Sequence, residues 1–242
     1  MHPPTQRSLK DLDYLKAAGN AILQPGPVRA QRVRHHNWGA RQIPSRLLDL
    51  WTDAYRSEIR YLDAWLGALT NMLEVTGRLK NTIVITTSDH GENFGEGGLV
   101  GHGVSLREST AHVPLAMWGG SLAPAVIDRP VSLVRIRATV EELTLGIHQG
   151  GSLLRSGPNV ASIELEDPAH VNRPPRRATK RSRGPGAAFY DRDLKLVIDP
   201  FDGEALYDLA RDESGTVVAR QEPTEALRQA KMEWAARIKG RA

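Results

Sequence analysis

Cysteine is absent from all 242 residues. That absence excludes disulfides, thiolate metal sites and a cysteine nucleophile. Long hydrophobic runs are missing as well, and nothing approaches the ~18 consecutive apolar residues that a membrane-spanning helix needs. The opening stretch MHPPTQRSLKDLDYLKAAGN has no apolar core of the kind a secretory signal carries, so the sequence as written implies a cytoplasmic location. An excess of either sign of charge is missing too. Lys and Arg number 32 against 28 Asp and Glu, a net charge of +4, which is too slight to argue for nucleic acid and reads as a mildly basic surface. There is no internal repeat.

What is present is periodicity. SLKDLDYLKAAGN (8–20) predicts a short helix with Ser8 as cap and Gly19-Asn20 as its end. Residues 21–44, punctuated by Pro, Gly and Arg, read as loop, and the HHNW at 35–38 within them reads as a surface histidine pair, with metal or substrate binding the alternative. From Ser45 to Thr76, Leu48, Trp51, Tyr55, Ile59, Leu62, Leu66, Leu69 and Leu73 recur at spacings of three or four. That is one face of a long helix closed by Gly77, and a stripe so apolar is expected to lie against a sheet. TIVITT (82–87) is β-branched without polar alternation, the pattern of an interior parallel strand buried on both faces. HVPLAMW (112–118) reads as a second strand, and VSLVRIRATVEELTLG (131–146) as a short strand passing into a helix. Residues 149–186 read as a basic Gly/Pro-rich loop, with six Lys or Arg among residues 173–183. The remainder, 187–242, predicts antiparallel strands with turns at DRD and DPFDG, then a closing amphipathic helix with Leu227, Trp234 and Ile238 inward. Four regions follow: 1–44, 45–148, 149–186 and 187–242.

The chemistry concentrates where TIVITT stops. In open α/β sheets ligands gather at the carboxyl ends of strands, and SDHGE places Asp89 and His90 there side by side. A carboxylate oxygen and an imidazole nitrogen are ordinary ligands for a divalent cation. Glycines at 91, 95, 97, 98, 101 and 103 allow close turns, and His102, between two of them, can return to the same site and donate to an oxyanion.

NTIVITTSDHGENFGEGG, GHGVSLREST and HVPLAMW together resemble the second metal-binding segment of the sulfatase family, in the alkaline phosphatase superfamily. YRSEIRYLDAWLGALTNMLEVTGRLKNT resembles the helix before it, and EALYDLARDESG the closing hairpin of that family. The resemblance runs from about Ile43 to Asp212. It implies an α/β fold: part of a sulfatase-like mixed sheet flanked by helices, with a small C-terminal antiparallel hairpin subdomain and closing helix. It further implies Asp89 and His90 as metal ligands, with calcium the expected ion and magnesium or manganese the alternatives. His102 falls at the position that contacts the sulfate or phosphate group of an ester substrate. Glu92, Glu108 and Asp63 match recurrent positions that read as structural.

The departures from the family pattern are equally specific. No strand ending in two aspartates and no Cys/Ser-x-Pro-x-Arg nucleophile motif occurs; SGPNV (156–160) lacks the arginine, and RIRAT (135–139) stands where Asp-Ile-x-Pro-Thr is often found. The chain therefore reads as the C-terminal part of a sulfatase-like hydrolase, incomplete and weakly active or inactive alone. Two readings stand beside it: a phosphoethanolamine- or phosphoglycerol-type transferase, or phosphoester hydrolase, of the same superfamily, and a non-catalytic truncated fragment. Apolar surface left uncovered on the helix and on TIVITT would favour self-association. Full-length relatives of this type are often exported or membrane-attached.

Overall fold

Pro27 opens a helix instead of breaking one. The structure, a computed structural model, describes residues 27–148, 150–155, 160–171, 174, 178–180, 182–211 and 222–240; the helix expected over 8–20 lies outside them. Helix α1 (Pro27–Asn37) occupies much of the stretch that reads as loop. Proline suits a first helical turn, where its missing N–H is not needed and its fixed φ is already helical, and the Arg, Ala and Gln that follow are good helix formers.

Helix α2 (Ser45–Val75) is the long helix that the periodicity predicts, 31 residues ended by Gly77 at φ 69°. Its stripe is less covered than expected. Leu48, Trp51, Leu66, Leu69 and Leu73 of the stripe are half-buried, but Ile59 is 50% and Leu62 61% exposed, and Trp65 beside the stripe is 60% exposed.

Strand β1 (Ile83–Thr87) corrects the interior parallel strand read from TIVITT. After β2 (Asn93–Phe94), β3 (Val100–Gly101) and the one-turn helix α3 (Glu108–Ala111), the chain returns as β4 (Leu115–Gly119). β1 and β4 form a two-stranded antiparallel sheet, with Ile83 opposite Gly119 and Thr87 opposite Leu115. A β-branched run specifies extended backbone and apolar faces; it carries no record of how many neighbours the strand has or in which direction they run. The pair closes tightly. Gly119 has φ 90°, and a Cβ there would overlap the Thr82 carbonyl, so only glycine fits.

Two compact units emerge. The first combines the chain up to Val104 with His112–Pro124 and residues 178–180. Its core is Ile43, Leu47 and Val100, with Val33, Leu48 and Trp51 against them. The second combines Ser105–Ala111, Ala125–Val171 and the chain from Ser182. Helix α4 (Arg135–Leu145) lies in it, without the short strand expected to lead into the helix over 131–146. Arg135 replaces that strand as an anchor: its guanidinium donates to the carbonyls of Gly151, Ser152 and Arg155.

The region 149–186 is not all loop either, since β5 (Val160–Leu165) and a short α5 (Pro168–Val171) lie in it. Strands β5, β6 (Gly186–Asp191), β7 (Leu194–Asp199) and β8 (Gly203–Asp208) form one antiparallel sheet in sequence order. Period-two alternation sends Ala187, Phe189, Leu194 and Leu196 to one face, against Leu227 and Trp234 of the closing helix α6 (Glu225–Lys239). Ala188, Tyr190 and Val197 pack on the opposite face with Leu106. Burial on both faces explains why all six β6 residues are inside. α6 starts where sequence predicts, capped by Thr224, whose hydroxyl accepts the Leu227 N–H and donates to Asp191.

Candidate active site

The end of β1 carries Ser88, Asp89 and His90 into a turn. Ser88 Oγ donates to the His90 carbonyl (2.7 Å), and the His90 N–H donates to Asp89 Oδ1 (3.0 Å). The Gly91 carbonyl can only accept, so its 2.9 Å contact with His90 Nδ1 places the ring hydrogen there. In the neutral ring the lone pair then sits on Nε2, which lies 3.6 Å from Asp89 Oδ2. Two acceptors face each other, an arrangement that a shared cation stabilises.

His102 returns to this point on the glycine loop. Its ring lies 4.0 Å from that of His90, centroid to centroid, at an interplanar angle of 32°. Its Nδ1 donates to Glu92 Oε2 at 3.0 Å, which leaves Nε2 to meet a ligand. Gly101 and Gly103 on either side have φ 81° and 72°, a backbone path that side-chain-bearing residues rarely take. The sequence-predicted Asp89, His90 and His102 thus meet, with Glu92 as a fourth member; Asp63 lies exposed on α2 and Glu108 in the second unit.

A divalent cation can be tested against these donors. They fit in kind: a carboxylate beside an imidazole whose other nitrogen is held by a backbone carbonyl is a common metal-ligand arrangement. In number they fall short, because among the described residues no group of three or more His, Cys, Asp or Glu is placed to hold a metal ion.

Sequence reasoning missed what supports the loop. Asn93 is fully buried and its Nδ2 donates to the Gly101 carbonyl. Asn37, at the end of α1, both donates to the Val100 carbonyl and accepts its N–H. Phe94 packs on Tyr55 and Trp51 of α2, with ring centroids 4.9 and 6.5 Å apart. The histidine pair of HHNW is structural in part. His36 is buried, and its Nδ1 accepts the Ile43 N–H at 3.0 Å.

Burial, and secondarily the charge of Lys180, hold the His36 imidazole below its ordinary 6.5. Below that value the unfolded chain takes up a proton that the folded chain refuses, so acid favours unfolding. The melting temperature should fall between about pH 7 and about pH 5, and His36→Gln should flatten that fall. A slope unchanged by the substitution, measured by circular dichroism, would remove His36 as its source.

Comparison with known proteins decides the family. The sulfatase family model matches residues 34–147, a span that contains all four site residues. Residues 34–147 belong to the sulfatase family. It is 32% identical over 167 residues to the choline-sulfatase of Rhizobium meliloti (strain 1021), covering 66% of this chain and 31% of that protein. Over 92 residues it is 39% identical to the arylsulfatase K of Danio rerio, covering 38% of this chain and 17% of that one. The chain spans about a third of the choline-sulfatase it matches. Among solved structures, a complex with the substrate D-glucosamine-2-N,6-O-disulfate superposes with a TM-score of 0.55 at 18% identity, covering 98% of this chain and 52% of that one. The phosphonate monoester hydrolase of Agrobacterium radiobacter gives 0.53 at 23% identity, covering 80% and 42%. At these identities the two likenesses concern fold, which is the α/β class expected. The curated relatives above 30% identity are named sulfatases.

Proposed function

We propose that this chain supplies the Asp89–His90–His102 part of a sulfate-ester hydrolase site. The observation that carries the reading is the facing pair of acceptors, His90 Nε2 and Asp89 Oδ2, with His102 stacked beside them. Asp89 and His90 would hold a divalent cation, calcium by the preference of that ion for carboxylate oxygen. Calcium takes 6–8 oxygen-rich ligands, so water or protein outside the described residues must complete the set. When bound, the ion polarises an ester oxygen. The chain's own part is to hold and balance charge: Glu92 keeps the His102 hydrogen on Nδ1, and a protonated Nε2 donates to an oxygen of the sulfuryl group. Sulfate esters are favoured over phosphate esters because the curated relatives above 30% identity are named sulfatases.

No residue of this chain stands in a Cys/Ser-x-Pro-x-Arg motif. Loss of a covalent nucleophile costs several orders of magnitude in rate, so the 242-residue chain alone should release little nitrophenol from its sulfate ester, even with calcium, magnesium or manganese. Calcium should nevertheless shift the His90 imidazole resonances, and Asp89→Ala should weaken that response at least about tenfold. An unresponsive His90 sinks the metal assignment. Rapid turnover abolished by Asp89→Ala would show instead that a serine or threonine of this chain is the nucleophile. We propose further that the uncovered face of α2 pairs with a second copy.

A further inference from the structure

We infer that Asn37 is the positioning residue for His102, acting through the backbone of Val100; the inference rests on the site reading above. Asn37 is 3% exposed and ends α1. Its carboxamide makes the two hydrogen bonds to Val100 that a neighbouring strand would make: Nδ2 to the carbonyl at 2.7 Å, and the Val100 N–H to Oδ1 at 2.9 Å. On its other edge the same segment pairs with β2, Phe94 opposite Val100 and Asn93 opposite Gly101. A side chain therefore serves as the missing third strand, and Val100–Gly101 is gripped along both edges. His102 is the next residue on the chain.

The grip matters because β2 and Asn93 hold only the other edge of this segment. Gly101 and Gly103 flank His102 with positive φ and no side chains to pack. The imidazole itself is half exposed, at 53%. Its two contacts, Glu92 at 3.0 Å and the His90 ring at 4.0 Å, depend on the direction in which the chain leaves Val100. α1 is a rigid support for such a grip. Trp38 beside it is 1% exposed, and His36 ties it to Ile43 of the local core. Asn37 holds the place of the strand edge with one amide, a shape that aspartate, with two acceptors, cannot reproduce against a carbonyl.

A merely structural asparagine would lower stability without moving His102, so the test reads the imidazole directly. In the full chain with labelled histidine, long-range proton–nitrogen spectra report the His102 tautomer and the exchange of its Nδ1 hydrogen. The parent should show that hydrogen on Nδ1, protected by Glu92. Asn37→Ala should lose the fixed tautomer and speed exchange at least about tenfold, the effect of one restraining hydrogen bond. Asn37→Asp, of equal size, should do the same and serves if the alanine variant does not fold. Leu47→Ala is the control: it loosens the same core around Val100 without touching its backbone. A parent-like His102 in both Asn37 variants overturns the inference, and so does equal loss in Leu47→Ala. Neither readout depends on sulfate chemistry, so a chain that binds no sulfate ester but shows the coupling refutes the functional reading alone.

Discussion

Glu108→Ala should destabilise the second unit by about 3–5 kcal/mol, the usual cost of stranding a buried charge. Lys195 is 1% exposed in the middle of β7, and its amine donates to the Leu106 carbonyl and to Glu108 Oε1, each at 2.5 Å. Tyr190 donates to the same carboxylate oxygen at 2.9 Å. Burial pulls the Lys195 amine below its ordinary range despite the opposing attraction of Glu108, and burial pushes the Tyr190 hydroxyl well above its own. Tyr190 therefore remains a donor at any working pH, and the ammonium depends on Glu108. Removing both charges together behaves differently: Glu108→Leu with Lys195→Met and Tyr190→Phe should recover most of the loss, because apolar groups of similar volume need no partners. Urea unfolding of the single and triple variants decides it. A single variant within about 1 kcal/mol of the parent would mean that water reaches the amine.

The second large effect concerns association. Leu62 and Trp65 lie three residues apart on α2, at 61% and 60% exposure, with Tyr55 and Ile59 at 40% and 50% along the same flank. Exposed apolar surface of this continuity is uncommon on a lone chain. Burying a side chain of that size contributes roughly 1.5–3 kcal/mol, and a two-fold pairing buries each one twice. Light scattering of the purified chain should show mass rising with concentration. Leu62→Glu with Trp65→Glu should weaken that association by at least about a hundredfold, each placing a charge in the interface. A chain that stays monomeric at every concentration leaves the pairing proposal without support.

The candidate site was legible in sequence to the extent that its members were close in the chain. Asp89, His90 and His102 fall within fourteen residues behind a β-branched run, and local spacing sufficed. Asn37 was not legible, because its partner Val100 is 63 residues away and an asparagine after two histidines follows no period. Lys195 misleads for a related reason. In LKLVID it alternates with leucines as a solvent-facing residue would, and its partners, the Leu106 carbonyl and Glu108, lie 89 and 87 positions earlier. α2 and the hairpin strands β6 to β8 were readable because period and turn chemistry are local quantities. The partner of β1 is a choice among distant segments, and composition does not rank them. α1 and β5 were hidden by prolines and glycines whose position at a helix start or beside a strand, more than their number, decides what they do.

The seven residues Ser105–Ala111 belong to the second unit although chain of the first unit lies on both sides of them. In a protein made from its N-terminus, Glu108 waits through 87 residues for Lys195. Closing a loop of that length has an entropic cost that grows with its logarithm and must be met before the new contacts form. The second unit is therefore a late-folding one, unavailable as any single contiguous fragment, and in the interval a carboxylate meant for the interior remains in water.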